Sequence, residues 1–182
     1  MNYCSHCGST VEFKIPPGDN LPRYVCGRCG QIHYQNPKIV TGCIPEWEDK
    51  ILLCKRAIEP RRGLWTLPAG FMENKETTSE AAVRETMEEA NATVEPIGLY
   101  ALFNIPHISQ VYIMFRARML NTDYGPGAES LEVELFDERK IPWEEIAFPV
   151  IKETLIRYYR DKSNGVFSLH VDDINPSLTA KR

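Results

Sequence analysis

The sequence predicts an α+β fold, in which a small cysteine-rich module precedes a larger domain of strands and two helices. Two Cys-x-x-Cys pairs lie within the first 29 residues. Beyond them, short apolar or alternating runs typical of strands are interrupted by one acidic helical pattern and followed by one amphipathic pattern. With 182 residues, 43% of them hydrophobic, the chain can bury one core besides the module. We therefore predict a module over 1–35, a main domain over 36–163 and a tail over 164–182.

The strands of the main domain are predicted from runs bounded by turn residues. They cover 39–44, 51–57, 95–103, 110–119 and 131–136. Pro149 suits the first turn of a helix whose apolar residues recur at helical spacing, namely Val150, Ile151, Leu155, Ile156 and Tyr159. This helix is expected to close a sandwich, and the tail is expected to add a short strand.

The acidic helix has start and stop signals of its own. Thr77 followed three residues later by Glu80 forms a capping-box pattern, which predicts that the helix begins near Thr78. Asn91 tolerates a left-handed backbone, so we expect the helix to end near Ala90. The preceding Trp65 to Gly70 segment reads as a strand and a tight turn.

Three glutamates of this helix lie on one face. Glu85, Glu88 and Glu89 are three and four residues apart, so their carboxylates would repel one another unless a cation neutralises them. Clustered carboxylate oxygens suit a hard divalent ion such as Mg²⁺ or Mn²⁺. A solvated acidic face is the alternative interpretation of such a cluster.

The segment from Gly70 to Ala92 resembles the signature of Nudix hydrolases. The similarity extends over about 37–156, and its departures from the signature, Thr86, Asn91 and Ala92, remove no metal-binding group. Six fixed positions at fixed spacing make the match specific. The matching residues are Gly70, Glu76, Arg84, Glu85, Glu88 and Glu89.

The resemblance implies an α/β/α sandwich with a mixed sheet, and hydrolysis at the pyrophosphate bridge of a nucleoside diphosphate linked to another group. It implies that the three helix glutamates bind Mg²⁺ or Mn²⁺, that Glu88 or Glu89 is the general base, and that Arg84 positions a catalytic carboxylate. Gly70 and Glu76 would shape the loop.

A glutamate outside the signature supplies a base or metal ligand in some members of the family. Of Glu129 and Glu132, Glu132 better matches the position of that glutamate. An exposed strand carboxylate is the alternative for Glu132.

The N-terminal cysteines predict a structural zinc site. Cys4, Cys7, Cys26 and Cys29 form two pairs separated by eighteen residues, and a glycine follows each pair. Four thiolates fill a tetrahedral zinc and leave no position for water, so this metal is not catalytic. A rubredoxin-like iron site and disulfides are the alternatives. The segment is too small to fold without its metal, so chelation should unfold it.

The ribbon and the loop together narrow the resemblance to the NADH-pyrophosphatase-like branch. Members that prefer NADH carry a serine-glutamine-proline-tryptophan-proline-phenylalanine-proline element after the signature, and this chain has YALFNIPHISQVYIMF there. The pattern most resembles plant chloroplast enzymes that split FAD and ADP-ribose, and their bacterial relatives. FAD, ADP-ribose or both are therefore the expected substrates, with release of AMP. NADH or NAD, and RNA caps, are the alternatives within the family.

Charge and composition limit the partners. The net charge of −4 argues against nucleic acid, because binding to phosphate backbones depends on clustered Lys and Arg. A zinc-ribbon module that binds nucleic acid or protein without turnover is the alternative from another class. No apolar run is long enough to span a membrane, and no signal peptide precedes Cys4, so a cytoplasmic location is expected. The resemblance implies a homodimer.

Overall fold

Two units make up the chain, Met1–Pro37 and Lys38–Arg182, and the computed structural model describes residues 1–175. The predicted tail is described as far as Asn175, and its residues 176–182 lie outside the described part. Neither of the two described α-helices is long and apolar enough to cross a membrane.

The first unit is a three-stranded antiparallel sheet with two tight turns. Its strands, in the order β1-β2-β3, are Val11–Lys14 (β1), Arg23–Cys26 (β2) and Ile32–His33 (β3). Gly8 and Gly30 follow the two cysteine pairs, and both have a φ of 73°, a backbone region that only glycine adopts without strain. Each glycine N–H closes its turn on a cysteine carbonyl, on Cys4 at 2.9 Å and on Cys26 at 3.0 Å.

The second unit contains one mixed sheet and two helices. Along the main path the strand order is β10-β5-β4-β9-β8-β11, with β6 paired to β5 and β7 paired to β4. The β4–β9 and β8–β11 pairs are parallel, and the other pairs are antiparallel. The elements are Lys38–Trp47 (β4), Lys50–Arg56 (β5), Trp65–Thr66 (β6), Ala69–Phe71 (β7), Thr78–Ala90 (α1), Val94–Ile105 (β8), Gln110–Met119 (β9), Ser130–Phe136 (β10), Pro149–Asn164 (α2) and His170–Asp173 (β11).

The two helices cover opposite faces of this sheet. Successive strand residues point to opposite faces, so Cys43 packs in a core cluster with Ala82 of α1, whereas Ile44 packs in a second cluster with Leu155 of α2. The result is the predicted α/β/α sandwich with a mixed sheet.

Helix α1 begins and ends where its local signals predict. The Thr77 side chain accepts a hydrogen bond from the Glu80 N–H at 3.2 Å, and the Glu80 carboxylate accepts one from the Thr77 N–H at 2.7 Å. Asn91 closes the helix in the left-handed conformation, with a φ of 48° and its N–H on the Met87 carbonyl. These caps fix the direction in which α1 presents its glutamates.

The hairpin formed by β4 and β5 brings Cys43 and Cys54 into the core without pairing them. Both thiols are buried, but the β4–β5 ladder extends only from Glu46–Ile51 to Trp47–Lys50. Beyond it, β4 turns to pair with β7, and Cys54 pairs with Thr66 of β6. The two cysteines therefore do not face each other across the hairpin, because short strands from the following loop pair with β4 and β5 there.

Candidate functional site

The three glutamates of the acidic face differ in their exposure to solvent. Glu85 and Glu89 are 8% and 7% exposed, whereas the Glu88 side chain is 58% exposed. Burial raises the pKa of Glu85, although its neighbour Arg84 opposes that rise. Two glutamates one turn apart are thus buried, and the third is exposed at the surface beside them.

Arg84 connects these glutamates to the loop before the helix. Its Nη1 donates to Glu85 Oε1 at 2.8 Å and to Glu88 Oε2 at 3.0 Å. Its Nε and Nη2 donate to the two oxygens of Glu76 at 3.0 and 2.8 Å, and Nη2 also donates to the Phe71 carbonyl at 3.1 Å. This bidentate pairing lowers the pKa of Glu76 to about 2. One guanidinium therefore fixes the loop and two helix carboxylates together.

Gly70 allows the loop backbone to lie against the Glu85 carboxylate. A Cβ at this position would overlap both carboxylate oxygens of Glu85. The neighbouring Thr41 of β4 pairs with Gly70, so the strand holds the glycine in place. The family resemblance implies that Gly70 and Glu76 shape the loop, and these are the contacts through which each of them meets the helix.

Glu89 has an oxygen that no other group satisfies. Its Oε2 is buried and has no hydrogen-bond partner among the described residues. Burial, followed by the charge of Glu85, raises the pKa of Glu89 to about 8, while the Ala69 N–H and the Arg56 guanidinium oppose the rise. A buried carboxylate oxygen without a partner is costly, and a bound cation would satisfy it.

The donor set fits a hard divalent cation. It offers carboxylate oxygens from Glu85, Glu88 and Glu89, and Mg²⁺ and Mn²⁺ prefer such oxygens. One of these oxygens, Glu89 Oε2, has no hydrogen-bond partner among the described residues. In this conformation Arg84 occupies part of that donor set through its bonds to Glu85 and Glu88. A cation that binds here exchanges some of those ion pairs for metal–oxygen contacts.

The two glutamates considered outside the helix have different surroundings. Glu132 forms an ion pair with Lys55 at 2.8 Å on the neighbouring strand, and its side chain is 57% exposed. Glu129, in the loop before β10, contributes a negative charge that raises the pKa of both Glu85 and Glu89. Backbone bonds hold this loop on the end of α1, including Gly127 N–H on the Glu89 carbonyl at 3.0 Å. Glu129 is thus the one whose charge acts on the helix carboxylates.

Arg56 was not singled out from the sequence, although it lies in the predicted strand 51–57 and ends the observed β5. Its Nε donates to the Pro60 carbonyl at 2.9 Å, and its guanidinium carbon lies 5.0 Å from the centre of the Phe148 ring. Phe148 lines a cavity of about 480 Å³ between the Arg61 loop and the start of α2. The Arg56 charge acts on Glu89, so this arginine is close both to the glutamates and to a residue of the cavity wall.

The four cysteines of the first unit form a separate cluster. Their sulfur atoms all lie within 4.8 Å of one another, with Cys4 and Cys29 at 3.7 Å and Cys7 and Cys26 at 3.5 Å. Among the described residues this is the one group of three or more potential ligands so closely placed. Four converging thiolates fit a structural zinc ion. His6, which lies between two of the cysteines, is exposed.

Comparisons with known families match both units. A model described as Nudix N-terminal, a zinc ribbon, matches residues 2–35, and the NUDIX domain model matches residues 36–159. An ADP-ribose pyrophosphatase of Methanocaldococcus jannaschii is 32% identical over 72% of this chain and 78% of that protein. An NAD-capped RNA hydrolase, NudC of Photorhabdus laumondii, is 32% identical over 69% of this chain. The matched part spans 45% of that protein.

A solved structure agrees with these matches. The crystal structure of a NUDIX hydrolase from Nitrosomonas europaea is 59% identical, with a TM-score of 0.94 over 96% of this chain and 99% of that one. The family match covers more than half of the chain and includes all the helix glutamates. This chain therefore belongs to the Nudix hydrolase family and is a pyrophosphohydrolase that carries an N-terminal Nudix zinc ribbon.

Proposed function

We propose that this chain hydrolyses the pyrophosphate bond of ADP-ribose, of FAD or of both, and releases AMP. The observation that carries the choice of site is the buried Glu89 oxygen without a partner, beside Glu85 on the same helix face. The substrate class is supported by the relative named ADP-ribose pyrophosphatase, of which this chain covers 78%. The chain lacks the sequence element that members preferring NADH carry.

Glu85, Glu88 and Glu89 are the proposed ligands of Mg²⁺ or Mn²⁺. Such an ion supplies charge neutralisation for the diphosphate and lowers the pKa of bound water. Arg84 fixes the Glu85 carboxylate, and Glu76 fixes Arg84 from the loop side. These two residues act on the reaction by orienting the glutamates, since their charged ends are engaged with each other.

Glu88 or Glu89 is the proposed general base. Glu88 is exposed and can turn toward an incoming water, whereas Glu89 already has an oxygen free of hydrogen bonds. We add Glu129 in place of Glu132 as the carboxylate from outside the signature, because the charge of Glu129 acts on Glu85 and Glu89 while Glu132 is paired with Lys55.

The cavity beyond Phe148 is the proposed place for the part of the substrate outside the diphosphate. Its volume of about 480 Å³ lies within the range of small-molecule sites, and its wall is partly apolar. Arg56 contacts Phe148 of the cavity wall and its charge acts on Glu89, so it can neutralise phosphate charge that the acidic site would otherwise repel. The apolar lining comes from Leu64, Ile146, Ala147, Phe148, Pro149, Ile156 and Ile174.

Hydrolysis of NAD-capped RNA is the second candidate function. The NudC relative favours this candidate, because its sequence identity to this chain equals that of the ADP-ribose pyrophosphatase. This chain spans less than half of NudC, however. The net charge of −4 weighs against an RNA substrate.

A product screen tests the proposal. Purified protein with Mg²⁺ or Mn²⁺ is incubated with ADP-ribose, FAD, NADH and NAD-capped RNA. Chromatography measures AMP release from the first three compounds, and release of nicotinamide mononucleotide from the capped RNA, whose adenosine stays on the RNA as a 5′-monophosphate. We expect ADP-ribose or FAD to give the highest kcat/KM, and the Glu89→Gln variant to turn them over about 10³-fold more slowly. Cleavage restricted to NADH or to capped RNA would contradict the substrate assignment, and near-wild-type rates in the Glu89→Gln variant would contradict the site.

A further inference from the structure

The zinc cluster carries a contact that its four cysteines do not explain. His33 Nε2 lies 3.3 Å from Cys4 Sγ, within hydrogen-bond distance of sulfur. The two residues are 29 positions apart in the sequence, so it is the fold that brings them together. His33 is half-buried on β3, where it pairs with Tyr24 of β2.

The imidazole approaches the cluster from outside it. The group in which every ligand atom lies within 4.8 Å of every other contains the four cysteines and does not include His33. Four thiolates already complete a tetrahedral zinc. The His33 nitrogen therefore meets one sulfur as a hydrogen-bond partner and not as a fifth ligand.

The charge of the cluster explains why such a donor matters. A zinc ion with four thiolates has a net charge of −2, and N–H groups aimed at the sulfurs offset the excess. A backbone N–H supplies part of this, since the His6 N–H lies 3.4 Å from Cys4 Sγ. This backbone donor comes with the turn, whereas the His33 donor depends on the side chain.

We propose that His33 is a positioning residue of the zinc site, which donates its Nε2–H to Cys4 Sγ and thereby slows the loss of zinc from the ribbon. The strand pairing of β3 with β2 fixes the ring, and the Cys26 N–H on the Gln31 carbonyl at 2.9 Å fixes the start of that strand. Through this bond, β3 is tied to the first cysteine pair as well as to the second. The proposal concerns the ribbon alone and stands apart from the catalytic assignments.

The test compares two replacements of His33 in the full chain. His33→Phe keeps a ring but has no donor, and His33→Gln keeps an N–H donor. Zinc release into an excess of a chromogenic chelator should be about 10-fold faster for His33→Phe, as expected when a group that supports a metal ligand is lost. His33→Gln should restore much of the wild-type rate. The sulfur-to-metal charge-transfer band of the Co²⁺-substituted protein should shift in His33→Phe alone.

The matched control is His6→Phe, because the exposed His6 contacts Cys4 only through its backbone N–H. Its zinc release should equal that of the wild type. If His33→Phe and His33→Gln released zinc equally fast, ring packing and not the donor would control the rate, and the proposal would be overturned. A wild-type rate of zinc release in His33→Phe would overturn it as well.

A measurement on the unaltered protein covers the case in which His33→Phe does not fold. Nitrogen chemical shifts of histidine-labelled, zinc-loaded wild type report the tautomer of His33. A protonated Nε2 with slow hydrogen exchange is expected, and an unprotonated Nε2 would overturn the proposal. Total zinc in the same sample checks that the cluster holds the metal, and a ribbon folded without zinc would overturn it as well.

Discussion

The two proposed metal-binding regions of this chain are built in opposite ways. In the ribbon, four cysteine sulfurs converge within 4.8 Å, and both turns that carry them are closed by glycine N–H groups. On α1, the carboxylates do not form such a group, and Arg84 forms ion pairs with two of them, Glu85 and Glu88. We therefore expect the cysteine set to retain its metal, and the carboxylate set, which has to exchange an arginine for a cation, to bind its metal reversibly.

The largest expected effect is on activity when divalent ions are removed. Brief exposure to EDTA should abolish AMP release, and Mg²⁺ should restore it within the mixing time, because the carboxylate site exchanges its ion with solvent. The zinc content, measured by mass spectrometry on the same samples, should stay constant over this period. Loss of zinc as fast as loss of activity would break the contrast between the two sites.

Removing one helix carboxylate should have the next largest effect. We expect Glu89→Gln to lower kcat by about 10³-fold, within the range found for loss of an acid–base group. The fold should persist, because the amide fills the same volume at a buried position. Steady-state kinetics and thermal unfolding measure both. Glu134→Gln on β10, away from the signature, is the control and should keep wild-type kinetics.

On the ribbon side, Cys26→Ser should release zinc and unfold residues 1–37. A unit of this size buries too little apolar surface to fold without its metal. Zinc analysis and the dispersion of amide signals from the ribbon are the measurements. Cys54→Ala, which removes a buried thiol outside the cluster, should retain one zinc per chain. Full zinc content in Cys26→Ser would show that the cluster is not the binding site.

A smaller effect is expected where the loop meets the helix. Gly70→Ala would place a methyl group on the Glu85 carboxylate, so that side chain or the loop must shift. We expect kcat to fall by about 10²-fold, as for other small misplacements of a catalytic group. Gly98→Ala, whose added Cβ would meet no atom within 4 Å, is the matched control. Equal kinetics for the two variants would show that the close approach at Gly70 has no role.

The smallest effect distinguishes the two glutamates outside the helix. Glu129→Gln should lower kcat by about 10-fold or more, as for a group that supports metal ligands, and Glu132→Gln should leave it within about 2-fold, because an exposed ion pair contributes little. Kinetics at saturating Mg²⁺ measure both variants side by side. The opposite order would restore the assignment of Glu132 made from the family pattern.

Local signals predicted both ends of the acidic helix closely. The capping box at Thr77 and the left-handed Asn91 act within one turn of the helix ends, so the sequence predicts a helix from near Thr78 to near Ala90, and the structure has Thr78–Ala90. The proposed preference for Glu129 could not be reached in this way, because the family pattern favours Glu132. That preference depends on backbone bonds from Gly125 and Gly127 to the end of α1, which join segments more than thirty residues apart.

Long-range contacts also explain the other features that the sequence did not reveal. Cys43 and Cys54 do not pair because the short strands β6 and β7 enter the sheet from a loop that reads as a single extended segment. The contact between His33 and Cys4 needs β3 to fold back along β2. Arg56 belongs to no sequence motif, and its contact with Phe148 joins residues that are far apart in the sequence.

Gly127 restricts which loops of this enzyme can change in sequence and length during evolution. A side chain at that position would overlap the Glu88 carbonyl oxygen, so the loop that carries Glu129 is confined to one conformation against the helix. The segment around Arg61 borders the cavity and is joined to the strands at its two ends. Lineages that acquire new substrates should therefore vary in length and sequence around Arg61, while the Gly127 loop stays constant.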